Sequence, residues 1–469
     1  MSLATKHAQY GVSYRAGGPI ETLHDLSQVE WVSQQKGQAL LLGLVLCGAG
    51  VLAWVLMLEL GERIHDQSSL HRATDAAAYS AALMQARSMN LHAYVNRAQL
   101  GHQLGMAHLI AVATASQYRA KLATQATRRN PPASLIGAFF GPQHSIAYTS
   151  ALSGGMSETL SKHAFRDAYL RHERQVHQVL DRVRQIQLRD AELQRQQSIH
   201  HMLITNVGLN GSALKGHTLT QLGLNITLTL DETKGLIEQH SGADSVWRDF
   251  LSGLVGQYGF LTERNRTYRN LWIVNPRCPL KRHELRRKGR LLLRPDGQWV
   301  SEESLSFHAL RHNKIIGCYH REYPMGWALL DTNTNENGDQ PPLTQNVVTM
   351  PDFSRQAFWR WSRAQSGAAR NIFSGRHNPL AQRYAQSASV KWSSKGLGRY
   401  AQLKNGRERQ PVRIAIKVSQ RLSAGNSIQS QAAAQTYFSP PTSSRGQSRV
   451  PSLFQPYWRA TLIPNLSYE

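Results

Sequence analysis

The reading of this chain turns on Gly37–Leu60, GQALLLGLVLCGAGVLAWVLMLEL. From Gln38 to Leu58 the stretch carries no formal charge, and at helical rise it spans roughly 30 Å, the thickness of a bilayer's hydrocarbon. In lipid a helix is the only local way to satisfy every backbone N–H and C=O, so a transmembrane helix is expected here. Apolar all the way round, the segment lacks the polar stripe of a helix on the surface of a soluble domain. Its length and the Leu-Glu-Leu-Gly-Glu that ends it, with no small-x-small cleavage site, argue against a removable leader. A permanent anchor is the expectation.

Within the span Gly43, Cys47 and Gly50 recur at intervals of four and three, and Ala49 and Ala53 add a second small pair. Such a face lets another helix approach closely, although small residues are also ordinary in membrane helices.

The 469 residues leave room for two or three domains, most of it after the anchor. Net charge is +24, and it is not spread evenly. Residues 1–60 hold Lys6, Arg15 and Lys36 against Glu21, Asp25, Glu30 and Glu59, so the remainder carries +25. That field favours anionic partners: lipid headgroups, acidic cell-wall polymer or nucleic acid. Lys36 precedes the span and Arg63 and Arg72 follow it, so local charge does not fix the orientation. Outside the span only Cys278 and Cys318 remain. Bridged, they would close a loop worth roughly 3–4 kcal/mol and require an oxidising compartment; unbridged, they are two buried thiols. The expected arrangement has the N-terminus in the cytoplasm and the rest in the periplasm.

Residues 1–36 read as a polar cytoplasmic tail, 37–60 as the membrane helix and 61–130 as a juxtamembrane helical stalk. In that stalk Ala77, Ser80, Ala81, Met84, Ala86, Leu91, Val95 and Ala98 offer a small-residue seam, and one or more turns back are expected before Asn130-Pro131-Pro132. Residues 131–205 divide into a Gly/Ser/Pro-rich loop over 131–155 and a second long helix over Ser157–Leu203. The helix has near-heptad apolar spacing, suited to a coiled coil or to an antiparallel partner for the stalk, and the second use is favoured.

Residues 206–469 change texture and read as an α+β domain. Leu224–Leu230, Leu271–Val274, Arg290–Val300 with a turn at Asp296-Gly297, Val412–Val418 and Ala432–Phe438 are expected strands. Asp331–Pro342 and Ser439–Ser448 are expected loops, and Phe353–Arg363 a short amphipathic helix.

No catalytic constellation emerges. His172 and His177 are five apart, whereas a helical zinc pair needs four so that both rings meet one ion. His92, His102, His108 and the His200-His201 pair read as polar helix residues. The Gly208–Lys215 stretch lacks the phosphate-cradling order, no GxSxG elbow occurs, and Asp352-Phe353-Ser354-Arg355-Gln356 lacks the second serine of a metal-adhesion loop. No enzyme activity, cofactor, metal or small-molecule substrate is expected. The strongest charge cluster is Lys281-Arg282-His283-Glu284-Leu285-Arg286-Arg287-Lys288-Gly289-Arg290. Its Lys281, Arg282, Arg286, Arg287, Lys288 and Arg290 are candidate anion-binding residues, against the plainer reading of a solvated loop.

From Lys36-Gly37-Gln38-Ala39-Leu40 through the span and His71–Leu109, the chain resembles the N-terminal region of TadE/TadG-like proteins of bacterial Flp (Tad) pilus-assembly systems. The carrying pieces are Asp75-Ala76-Ala77-Ala78-Tyr79-Ser80-Ala81-Ala82 and Ala93-Tyr94-Val95-Asn96-Arg97-Ala98. Ala434–Phe438 and Leu453–Leu462 resemble the end of long members, so about a quarter of the chain is covered. The resemblance implies a single-pass inner-membrane protein with a periplasmic domain, working with other pilus-assembly membrane proteins rather than as a catalyst. Pilins cut by prepilin peptidase usually carry Glu where this chain has Leu42, which points to an uncut accessory component. The expected fold is therefore a transmembrane helix continuing into an α-helical stalk, followed by a C-terminal α+β domain. The alternative function is a membrane-tethered binding module for DNA or acidic cell-wall polymer.

Overall fold

The computed structural model describes residues 38–153, 163–207, 218–242, 245–254, 256–333, 353, 358–359, 361, 377–407, 410–422, 425–441 and 450–464. The tail 1–36, the 334–342 part of the Asp331–Pro342 loop, most of Phe353–Arg363, Gly208–Lys215 and most of Ser439–Ser448 lie outside the described residues. The chain divides into two compact units, Met1–Asp66 and Gln67–Glu469.

Helix α1 runs unbroken over Gln38–Thr127, ninety residues without the expected turn back. Within Met1–Asp66 it is bare. Every residue from Leu40 to Glu62 is exposed, and the most apolar window has mean hydropathy 2.5 and is 0 % buried. By length and composition α1 is able to cross a membrane.

In the second unit α1 is a spine instead of a free stalk. Four apolar clusters follow one another along it. Leu70, Ala73, Ala77, Ala78, Ala81 and Ala82 pack on Ile414, Ile416, Val418, Ala432 and Ala434. Ala86 and Met89 meet Leu403, Val412 and Trp458. Met106, Ala107, Ile110 and Ala113 meet Trp247, Trp299, Trp392 and Phe454. Tyr118 and Leu122 meet Phe140, Leu285, Phe307, Tyr323 and Met325. The alanines let strands approach the helix axis closely, which is why an Ala-rich sequence forms the core here. The boundaries expected at 130 and 205 therefore do not separate packing units, because helices and strands share every cluster.

Of the expected 131–155 loop, the described residues 131–153 are largely helical. They form α2 (Ala133–Phe140), α3 (Pro142–Thr149) and a 3₁₀ turn (Ser150–Ser153). Gly141, at φ +98°, ends the first helix, and Pro142 opens the second. Helix α4 (His163–Val207) lies antiparallel along α1. Ser80 bonds Ser198, Arg195 donates to Gln85 at 2.9 Å, Arg184 to Gln99 at 2.8 Å, and Gln103 meets His177 at 3.2 Å.

The strands form three sheets. One is antiparallel with order β1 (Leu224–Asp231), β9 (Val412–Arg421), β10 (Ser427–Phe438) and β11 (Trp458–Ile463). The strict alternation of VRIAIKV places Val412, Ile414, Ile416 and Val418 on the face toward the helices. A small pair joins β2 (Ile237–His240) to β8 (Tyr400–Leu403). The third sheet has the order β3 (Arg266–Arg269), β4 (Glu284–Leu293), β5 (Trp299–Asn313), β6 (Gly317–Asn333) and β7 (Val390–Ser393), parallel only at β6–β7. Short helices α5 (Ser245–Gly253) and α6 (Pro379–Ser387) complete the body. Leu271–Val274, expected as a strand, is an exposed irregular segment between β3 and β4.

Candidate functional site

Gly43, Cys47, Ala49, Gly50 and Ala53 all lie on the bare part of α1. Cys47 is a free, exposed thiol, and a Cβ added at Gly43 or Gly50 would meet nothing within 4 Å. Among the described residues nothing packs on this face.

The basic run is divided by the fold. Its second half is strand and not a solvated loop: β4 carries Glu284, and pairing with β5 brings Glu302 and Glu303 beside the cations. Glu303 takes Arg264 at 2.7 Å and Arg287 at 2.8 Å; Glu302 takes Lys288 at 3.2 Å and Arg290 at 2.8 Å; Glu284 takes Arg286 at 2.6 Å and Arg269 at 3.0 Å. The three glutamates and Lys288 are buried. Gly289 stands opposite Glu303, and a Cβ there would sit 2.5 Å from its carboxylate, so the glycine makes room for the acid. Burial alone would raise the Glu284 carboxyl. The Arg286 charge and the bonds from Arg286 and Arg269 outweigh it and hold the group below the usual carboxylate range. Arg286, Arg287, Lys288 and Arg290 are thus each ion-paired within the fold, with every carboxylate shared by two cations.

Lys281 and Arg282 meet a different environment. A disulfide joins Cys278 to Cys318, with Cα atoms 6.0 Å apart, and ties the segment before β4 to the start of β6. Lys281 Nζ donates to the Cys318 carbonyl at 3.1 Å and Arg282 to the Pro279 carbonyl at 2.6 Å. Arg277 and Lys314 are exposed nearby in the chain, and neither 270–283 nor 309–320 contains an acidic residue. The same segments show Leu271, Trp272, Ile273, Leu280 and Ile315 to solvent, Leu280 at 96 % and Leu271 at 90 %. The tip is held by definite bonds. His283 N–H donates to Asn270 Oδ1 and Leu310 N–H to His283 Nδ1, both at 2.8 Å. Burial first, then the neighbouring Arg311 and His320, pushes His283 down to about 4, so the ring is a neutral acceptor. A cationic, apolar surface of this kind suits anionic interfaces.

Along the α1–α4 seam three histidine rings gather. The ring of His102 lies 5.4 Å from that of His172 and 5.6 Å from that of His177, so residues five apart converge on one neighbour. Burial, then His177 and His172, pushes His102 down to about 4. Among the described residues no group of His, Cys, Asp and Glu could hold a metal ion.

Two asparagines on α1 stitch the helix to strand backbone and were not singled out from the sequence. Asn96 donates to the Ala401 and Leu453 carbonyls at 2.8 Å and accepts from Ala401 N–H at 3.0 Å. Asn90 does the same at Trp458, both bonds at 3.0 Å. Their signal was two amides six apart inside an apolar, Ala-rich helix, where propensity disfavours them. Set against known proteins, the chain matches no protein-family model, no curated protein and no solved structure.

Proposed function

We propose that this chain is a non-enzymatic, membrane-anchored envelope protein that helps assemble an Flp-type pilus as an uncleaved accessory, minor pilin-like component. The observation that carries the reading is α1: one helix with a bare, charge-free segment long enough to span lipid, then an Ala-rich continuation that is the spine of a folded body. The pieces that resemble TadE/TadG-like proteins are structural here. Ala77, Ala78, Ala81 and Ala82 lie in the core, and Asn96 fastens strand β8 and the turn at Leu453 to the helix. The Cys278–Cys318 bridge supports an oxidising compartment, hence a cytoplasmic N-terminus and a periplasmic body. Deleting the gene should reduce the number or length of surface pili, with restoration by the full chain. Pili unchanged in both respects would overturn the proposal.

A second reading, tethered binding of anionic polymer, draws on the acid-free cations around the disulfide. Replacing Lys281, Arg282 and Lys314 by Ala should then flatten the salt dependence of binding to DNA or acidic cell-wall polymer. Equal slopes for the variant and the parent chain would dismiss it.

A further inference from the structure

Helix α4 is oriented against expectation. Its inner side, facing α1 and the 392–395 segment, buries Glu173, His177, Arg184 and Arg195 together with Tyr169, Ile199 and Leu203. Roughly a third of a turn away, at 3.6 residues per turn, Val176, Val179, Val183, Ile186 and Leu193 form another stripe. Val179 is 59 % exposed, Ile186 42 % and Leu193 54 %, and Val176 and Val183 are half-buried. An isolated pair of helices in water would place these residues the other way about. The inner side makes definite polar contacts within the chain, the Gln99–Arg184 and Gln85–Arg195 bonds among them. The outer apolar stripe has no comparable use among the described residues.

The spacing of that stripe is heptad. Val176, Val183 and Asp190 occupy one core position and Val179, Ile186 and Leu193 the other, over about 27 Å of helix. β-Branched residues at the first position favour two strands, and a single polar residue there fixes register. One flank carries Gln175, Arg182 and Arg189, the other Leu180, Gln187 and Gln194. In a parallel self-pair Arg182 faces Gln187 and Arg189 faces Gln194, so no like charges meet along the flanks; in the core the two Asp190 side chains come together, flanked by the two Arg189 side chains. In an antiparallel self-pair the two arginine-bearing flanks would face each other. Asp190, the one acid in the stripe, already bonds Arg189 at 2.7 Å, and a parallel second copy brings its own Arg189 to the other side of that carboxylate.

We infer that the outer stripe of α4 is a self-association surface, on which a second copy of this chain packs in parallel and in register as a short coiled coil. The inference does not depend on the pilus reading. It is tested on the full chain in its native membrane, with Cys47→Ala removing the free thiol and the Cys278–Cys318 bridge left in place. Val183→Cys and Ile186→Cys, oxidised separately with copper phenanthroline, should each yield a reducible species of twice the chain's mass, since like positions meet in a parallel pair. Gln185→Cys, on the exposed side away from the stripe, should remain monomeric. In detergent, Val179→Glu combined with Ile186→Glu should shift the chain from dimer to monomer by light scattering, with its circular dichroism unchanged. Overturning results are the absence of crosslinks at positions 183 and 186, equal crosslinking at 185, products of another mass, or an unchanged dimer in the double Glu variant.

Discussion

The two ends of Lys281–Arg290 have nearly the same composition and opposite fates. From Arg286 to Arg290 every cation lies on β4, where antiparallel pairing sets Glu302 and Glu303 opposite and each acid is shared by two cations. At Lys281 and Arg282 the chain is in an irregular segment tied by the disulfide, with no acid within 270–283 and several large apolar side chains in water. A run of positive charge is therefore not a surface property in itself. What strand register places opposite each residue decides whether the charge is structural or available.

The largest test of this contrast is Glu303→Gln. It leaves Arg264 and Arg287 without their shared carboxylate in a buried sheet, and should cost about 2–3 kcal/mol of unfolding free energy measured by denaturant titration, moderated because both guanidiniums retain some solvent. A loss below about 0.5 kcal/mol would class the network with ordinary surface pairs.

A smaller effect is expected at the hinge between the two ends. His283 is held neutral by burial, with its titration pushed down to about 4 from 6.5 in the unfolded chain. The unfolded state binds the proton first, so the stability that neutral His283 contributes is complete above pH 6.5 and is lost as pH falls toward 4. Protonation turns the acceptor of the Leu310 N–H into a donor beside Arg311, so hydrogen exchange at Leu310, corrected for intrinsic rate, should accelerate across that window. His283→Gln should abolish the dependence. The smallest effect is expected for Lys281→Ala and Lys314→Ala, each within about 0.5 kcal/mol of the parent chain, because both side chains are exposed and neither has a carboxylate partner among the described residues.

The parts of the fold that could be read in advance were those where one local pattern suffices. The charge-free span and the alternation of Val412–Val418 required no knowledge of neighbours. The strands that escaped reading carry residues that only neighbours can justify. In β5, Ser301-Glu302-Glu303-Ser304 looks solvated, yet both acids are buried because β4 supplies their cations. In β6, Pro324 and Gly326 argue against a strand, but the ladder shifts register between Leu305 and Ser306 just there. A Cβ at Gly326 would come within 2.8 Å of the Tyr118 ring, so the glycine admits helix α1.

By itself the sequence determined that one helix is long and apolar enough to enter a membrane, and that a strongly basic, mixed helical and stranded body follows it. These are one-dimensional properties of hydrophobicity, periodicity and charge. Tertiary structure alone decided that the Ala-rich helix is the spine of that body, which cations are ion-paired and which are left in water, and that α4 turns its ionic side inward. Each of those depends on which groups meet across long stretches of chain, where the cost of burying a charge is settled by the partner that packing provides.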